Sequence, residues 1–513
     1  MLFRILLTLA LGTAVANSAP TATAQPQARF VSLRECIELA LTRNLDIQIS
    51  RLNADMMGYS LTGAYVPYVP VLSFMARHDF VSQPGDVDPQ KFNMDQPYEL
   101  NTDQLGPSLT GQLPIGLGYA FNAYTREENM RTDFRGTPAD AAFFKPDGIR
   151  RTNNYYSEAR LDLTQHLLKD SWIDAERQTI QLRRKGLKMS EQAFRFQIMK
   201  TVLAVELNYY DLVSAREMVK VQQEALKFRQ QFLKETRRRV ELGDLPPLDA
   251  EQAETQLQIT LTALSAAREA LASQENTLKS LITDDFNAWV DIDLIPADPL
   301  AVVRTEVNRE ESVRSALNTR PDLKEARLAV EQKAVIVRYR KNQLFPTLDV
   351  VGRYGGLGVA SAPGPSTDQA KDLHDPTYFY GAVLSVPLTL AAERGNYRAS
   401  KAAKEIAELQ LKKAEQDVLW QVIDHINRVA ARLDRVTSTR KARAYAASAL
   451  AAEEKKLDAG LTTSFVVLEL QQILTRAATA EVEAISDYNR MLAQLAFEDG
   501  TILEKTRIDV QAK

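Results

Sequence analysis

The chain has 513 residues, of which 45% are apolar, 25% charged and 7% aromatic, a length that implies several compact domains or one elongated architecture. A formal net charge of −3, from 63 basic and 66 acidic residues, offers no electrostatic footprint for nucleic acid. One cysteine, Cys36, excludes an intrachain disulfide, and the scattered His78, His166, His374 and His425 provide no zinc cluster.

At the N-terminus Arg4 precedes the apolar stretch Ile5 to Ala16, and Ala22-Thr23-Ala24 has the small-x-small pattern that signal peptidase accepts. Residues 1–24 are therefore expected to be a cleaved export signal. No later stretch is apolar, charge-free and long enough for a membrane helix, so any membrane span is expected to be β. Cys36 follows Val31-Ser32-Leu33-Arg34-Glu35 inside a helical pattern, which reads as an ordinary helix residue and not a lipid anchor.

The mature chain is a duplication, with a first repeat over 25–304 and a second over 305–513. An offset of 276 (322 − 46) maps Asp46 onto Asp322, Pro70 onto Pro346 and Arg77 onto Arg353. An offset of 217 (460 − 243) maps "VELGDLPPLDAEQAETQL" around Gly243 onto "KLDAGLTTSFVVLELQQIL" around Gly460. The difference of 59 (276 − 217) places extra residues in the first repeat across Ser82 to Asn154, a stretch rich in Pro, Gly, Asn and Asp.

In chain order, helix runs from Ile37 to "YVPYVPVL", and a β-hairpin is expected over about 71–165. Ala159, Leu161 and Leu163 alternate there with Arg160, Asp162 and Thr164. A further alternating stretch, residues 108–124 with Leu109, Leu113, Leu117 and Phe121, is interrupted by Pro114 and Gly116; it adds strands to the wall or lies in an extracellular loop, and the loop is favoured. Ile198, Val205, Leu212, Val219, Leu226, Leu233 and Val240 then recur every seven residues, the signature of a coiled-coil seam. Such a helix from about Trp172 to Leu242 has a length on the order of 100 Å. It turns at 243–248, and Leu257, Leu264, Leu271 and Leu278 resume the seven-residue spacing. Helical periodicity lapses from about Thr283 to Arg304.

The second repeat gives helix, then a hairpin over about 347–388. Leu348, Val350, Gly352 and Tyr354 oppose Asp349, Val351 and Arg353, and Tyr378, Tyr380, Ala382, Leu384 and Val386 share one face. Gly355, Gly356 and Gly358 read as loop glycines with no helix behind them to receive a phosphate. The seam Val422, Val429, Val436, Leu450 and Leu457 is broken only at Arg443, before a tip at 460–464 and a C-terminal tail. One apolar and one polar face per strand is the pattern of a membrane barrel, and also of a soluble sheet with one wet face. A single chain of about four strands cannot close a barrel, so an oligomer is required.

These residues resemble the outer membrane efflux protein family, the TolC-like outer membrane factors. The resemblance is carried by "SLRECIELALTRNLDIQISRLNADMMGYSLTGAYVPYVPVL", its echo "SVRSALNTRPDLKEARLAVEQKAVIVRYRKNQLFPTLDV", the passages "LDLTQHLLKDSWIDAERQTI" and "LSVPLTLAAERGNYRASK", and the two glycine tips. It covers nearly all of the mature chain; His166 departs from it, where members often carry proline. The implied fold is mainly α with transmembrane β: long coiled-coil helical hairpins plus β-hairpins that form a barrel of twelve strands shared in a homotrimer. A belt built from the Thr283 to Arg304 segment and the tail after Gly500 is implied as well.

The resemblance implies an outer membrane duct of a tripartite efflux system, working with a periplasmic adaptor and an inner-membrane transporter and contacting outer membrane lipid. A duct for type I protein secretion and a periplasmic coiled-coil scaffold without a pore remain alternatives. Asp249, six residues after Gly243, and Glu469, nine after Gly460, match the family's acidic gate positions, whereas Val466 replaces the second six-position acid. Gly243, Asp244, Leu245, Gly460, Leu461 and Thr462 match its adaptor-docking tips. An acid early in a helix is also what the helix dipole favours, as at Asp249. The sequence carries no nucleophile elbow, phosphate loop or metal-spaced carboxylate set, so no catalysis, cofactor or metal is expected.

Overall fold

The computed structural model describes residues 27–85, 97–135, 148–243, 245–302, 305 and 307–506. The expected export signal and Asp244 lie outside the described residues. The chain packs as two units that cut across the repeats: one of residues 1–45, 201–306 and 427–494, the other of 46–200, 307–426 and 495–513. Among the described residues, no helix is long and apolar enough to cross a membrane.

The two offsets also separate element boundaries. Helices α1 (Leu33–Arg43) and α5 (Arg309–Thr319) lie 276 residues apart at both ends (309 − 33, 319 − 43). Helices α2 (Leu45–Gly63) and α6 (Pro321–Asn342) also start 276 apart (321 − 45). So do strands β2 (Val71–Gln83) and β7 (Thr347–Ala360), at 347 − 71. The long helices α3 (Ala175–Glu241) and α8 (Ala391–Asp458) end 217 apart (458 − 241), and their return helices α4 (Pro247–Ile282) and α9 (Ser464–Glu498) start 217 apart (464 − 247).

In the first unit, β1 (Gln27–Val31) pairs in parallel with β6 (Ile292–Pro296). Strand β6 lies in the Thr283 to Arg304 segment, where helical periodicity lapses. The buried Tyr209 hydroxyl donates to Asp298 at 2.7 Å, and the same carboxylate accepts the Leu33 amide at 3.0 Å, at the N-terminus of α1 where unpaired amides favour an anion. Cys36 is buried in α1, and burial pushes its thiol up to about 12. The seams are buried at Val205, Leu212 and Val219 in α3, at Leu264 and Leu278 in α4, and at Val429, Val436 and Leu450 in α8. Arg443, the break in the seam of α8, reaches the buried Glu481 of α9 at 3.0 Å, and Arg440 joins it at 3.3 Å. The irregular position is thus an ion pair between two helices.

The second unit holds six antiparallel strands in the order β2, β3 (Tyr98–Gln112), β4 (Leu117–Asp133), β5 (Ile149–His166), β7 and β8 (Asp375–Ser385). Here two expectations change. Residues 108–124 are not an extracellular loop but the end of β3, a turn and the start of β4, so among the described residues this sheet has six strands and not about four. Pro114 and Gly116 interrupt the alternation because they form the turn: the Gly116 amide donates to the Leu113 carbonyl at 2.9 Å, Gly116 has φ +81°, and the Leu113 amide closes on the Leu117 carbonyl at 2.8 Å. The second change concerns Gly355, Gly356 and Gly358, which lie in β7, and a short helix, α7 (Pro363–Lys371), follows them. Glycine is needed at two of these because α7 lies against the strand: a Cβ on Gly358 would overlap the Ser366 carbonyl, and one on Gly356 the Ala370 carbonyl.

The second unit also has an apolar cluster of Ala316, Leu323, Val418 and Val422. Arg320, at the break between α5 and α6, is 6% exposed and binds Asp322 at 2.7 Å and Glu498 at 2.5 Å. Its counterpart in the first repeat is Asn44 (320 − 276), which donates to the Leu281 carbonyl at 3.0 Å. Arg320→Ala would strand Glu498 beside a buried void, and the expected loss is about 3 kcal/mol, read as a lower urea midpoint of the folded protein. An unchanged midpoint would mean the pair contributes nothing.

Both hairpin tips end their helices the same way. Gly243 and Gly460 have φ +81° and +73°, with open space where a Cβ would stand. At the second tip the Gly460 amide bonds the Leu457 carbonyl at 3.0 Å and the Leu461 amide bonds that of Lys456 at 2.9 Å, a Schellman end. Glycine is required there for backbone conformation alone. Gly460→Ala is therefore expected to cost about 1 kcal/mol and Gly460→Asn less, in the same urea titration, because asparagine tolerates the left-handed region better.

Candidate functional site

Residues directly opposite one another in a sheet share a face. On one face of the six strands a single row runs Leu72, Leu109, Phe121, Leu161, Tyr354 and Tyr378, each opposite the next. Phe74, Leu105, Leu163, Val350, Tyr380 and Leu384 flank that row, and all six are exposed. An exposed apolar band on this scale exceeds what a soluble surface tolerates. Toward the end of the sheet away from the helices the band gives way to polar pairs, with His78 Nδ1 at 2.7 Å from Asp103.

The other face is polar and hydrogen-bonded from strand to strand. Ser108 donates to Asn122 at 2.7 Å, Asn122 to Asp162 at 3.3 Å, and Arg353 to the other oxygen of Asp162 at 2.5 Å, a ladder across β3, β4, β5 and β7. Arg160 adds contacts to Asp162 at 3.1 Å and Glu158 at 3.0 Å, and His166 sits 2.6 Å from Asp349. Charges held this way are compatible with a water-filled space and not with lipid. The strands have 11 to 18 residues, enough to cross a bilayer when tilted.

In the first unit the two hairpin tips meet around a cavity of about 400 Å³ lined by Leu245 and Asp249 from one tip, Gly460, Thr462 and Ser464 from the other, and Phe232 and Arg239 from α3. Asp249 stands in the first turn of α4 and is half-buried. Thr462 donates its hydroxyl to Glu453, and this bond together with Lys456 at 2.9 Å holds the Glu453 carboxyl below the usual range. Leu461 is exposed at the apex. The geometry therefore brings together Asp249, Leu245, Gly460 and Thr462, whereas Glu469 lies on an exposed position of α9 outside the cavity lining. Of the arginines before the first tip, Arg237 reaches Glu254 of α4 at 2.6 Å and braces the hairpin, whereas Arg239 reaches Glu235 at 3.2 Å within α3.

Below the tips Arg229 is 6% exposed, and burial lowers its guanidinium pKa. Its Nη2 donates to the Leu468 carbonyl at 3.4 Å, while Nη1 and the buried Oε1 of Gln471 have no hydrogen-bond partner among the described residues. The sequence signal was present but unread: Gln222, Arg229 and Thr236 repeat every seven residues, a polar track beside the apolar seam.

Residues 313–501 match the family model described as outer membrane efflux protein. No curated protein matches the chain. Among solved structures, the outer-membrane channel OprN is similar at 16% identity and TM-score 0.65, covering 94% of this chain and 96% of that one. VceC, an outer membrane protein from the pathogen Vibrio cholerae, is similar at 16% identity and TM-score 0.64, covering 91% of this chain and 96% of its own. The Campylobacter jejuni CmeC outer membrane channel follows at 14% identity and TM-score 0.61, covering 98% of each chain. The second repeat thus carries the outer membrane efflux protein domain over residues 313–501, on a chain whose fold is that of the TolC-like outer membrane channels.

Proposed function

We propose that this chain is the outer membrane subunit of an efflux duct. Three copies close their sheets into one barrel, the helices extend into the periplasm, and energy comes from an inner-membrane transporter joined through a periplasmic adaptor. The observation that carries the reading is the two-faced sheet: an apolar row, exposed at all its positions but the half-buried Leu109, crosses all six strands on one side and a hydrogen-bonded charged ladder lies on the other. Lipid suits the first face and a water-filled lumen the second. The relatives in fold are channels, and the work asked of this chain is conduction.

The constricting end of the duct is assigned to the hairpin tips. Asp249, repeated three times about the axis, makes a ring of carboxylates at a narrow passage, and Glu469 makes a second; such rings attract cations and repel anions. The exposed Leu461 together with Leu245 and Thr462 forms the surface offered to the adaptor, with Gly243 and Gly460 shaping the turns. Purified protein in a planar bilayer should give discrete, cation-selective conductance, measured as the reversal potential in a salt gradient. Asp249→Ala combined with Glu469→Ala should move that potential toward zero. An unaltered reversal potential would remove the gate assignment, and absence of any conductance would overturn the duct.

A further inference from the structure

Only four of the six strands connect to helices: β2 follows α2, β5 leads into α3, β7 follows α6 and β8 leads into α8. Strands β3 and β4 connect to each other at that end through the turn Leu113 to Leu117. The hairpin is therefore an insertion between β2 and β5, yet it is built into the sheet. It is paired on both sides, β2 against β3 from Val71↔Thr110 to Gln83↔Tyr98, and β4 against β5 from Leu117↔Gln165 to Asp133↔Ile149. Its Leu109 and Phe121 continue the apolar row, and its Ser108 and Asn122 begin the polar ladder. Its turn is tied to the neighbouring strand by Gln165, whose Nε2 donates to the Ile115 carbonyl at 3.3 Å. A plug in the lumen or a flap over the mouth would preserve neither the apolar row nor the polar one.

Six is an even number, so the outermost strands β2 and β8 run in opposite directions. Strand β8 of one copy placed beside β2 of the next continues the antiparallel alternation, and nearly every residue of both strands is exposed. We infer that the β3–β4 hairpin is a wall element that widens the shared barrel to six strands per copy, eighteen in the trimer, so that the membrane section passes bulkier solutes than a wall of four strands per copy. The inference rests on the duct reading. With strands about 4.8 Å apart and tilted by about 40°, eighteen strands give a barrel about 36 Å across between backbones, against about 24 Å for twelve. The membrane section is then no filter by size, and selection falls to the hairpin tips.

Cryo-electron microscopy of the full-length protein, extracted from the outer membrane or reconstituted in nanodiscs, counts the strands directly. Eighteen strands around a mouth about 36 Å wide are expected; a twelve-stranded ring about 24 Å wide overturns the inference while leaving the duct intact, and no ring-shaped membrane assembly overturns the duct itself. Disulfide trapping gives a second reading, in which the buried Cys36 does not compete. Ala76→Cys with Leu105→Cys, opposite each other on β2 and β3, should crosslink within one chain of the assembled oligomer. Ala76→Cys with Ser157→Cys, level with each other but with β3 and β4 between them, should not. Crosslinking of the second pair and not the first would mean that β2 abuts β5 and that the hairpin has left the wall.

Discussion

A strand at the edge of a sheet has its outward backbone amides and carbonyls unpaired, and in hydrocarbon each such group costs several kcal/mol because no water replaces the missing partner. In this chain β2 and β8 are those strands, and the order of the six strands leaves no way for one copy to close on itself without bending β2 around to β8. Six strands also fall short of the roughly eight at which membrane barrels begin. Several features of the second unit fit this constraint under the proposed ring of copies: an even strand number, antiparallel edges, and neighbouring strands matched in register.

The same constraint explains how the two faces divide. Each strand must present side chains of opposite character at alternate positions, and the pairing holds the rows level over many residues. A slip of one residue would bring Arg353 or Asp162 to the apolar side and Tyr354 or Leu161 to the polar side. The ladder of Ser108, Asn122, Asp162 and Arg353 resists such a slip, since each partner satisfies a group that would otherwise be left bare. In the first unit the long helices solve a different problem with the same economy: where the apolar seam of α8 is broken at Arg443, a buried carboxylate from α9 receives it.

Much of this was legible in the sequence because the duplication gave two readings of one pattern. The offset of 276 (309 − 33) between α1 and α5 and that of 217 (464 − 247) between α4 and α9 appear in the residues before they appear in the helices. The β3–β4 hairpin was harder to read, since it has no counterpart in the second repeat and its Pro114 and Gly116 look like a break in a strand when they are a turn between two. The glycines of β7 were misread for a related reason: their need is imposed by the backbone of α7 lying against them, a contact invisible in local sequence. At the tips, Asp249 is brought to the second tip by the meeting of two hairpins, whereas Glu469, identified by the same counting from a glycine, sits outside that cavity, because position along a helix does not by itself decide which side faces a neighbouring hairpin.

The central claim is that one face of the sheet meets lipid and the other meets water, and β7 tests it most directly. Spin labels placed singly at residues 348 to 354 of the reconstituted full-length protein report their collision rates with oxygen, which partitions into lipid, and with a nickel chelate, which stays in water. The account requires oxygen to dominate at Leu348, Val350, Gly352 and Tyr354 and the chelate at Asp349, Val351 and Arg353, alternating with a period of two. Chelate access at every position, or no alternation, would contradict it.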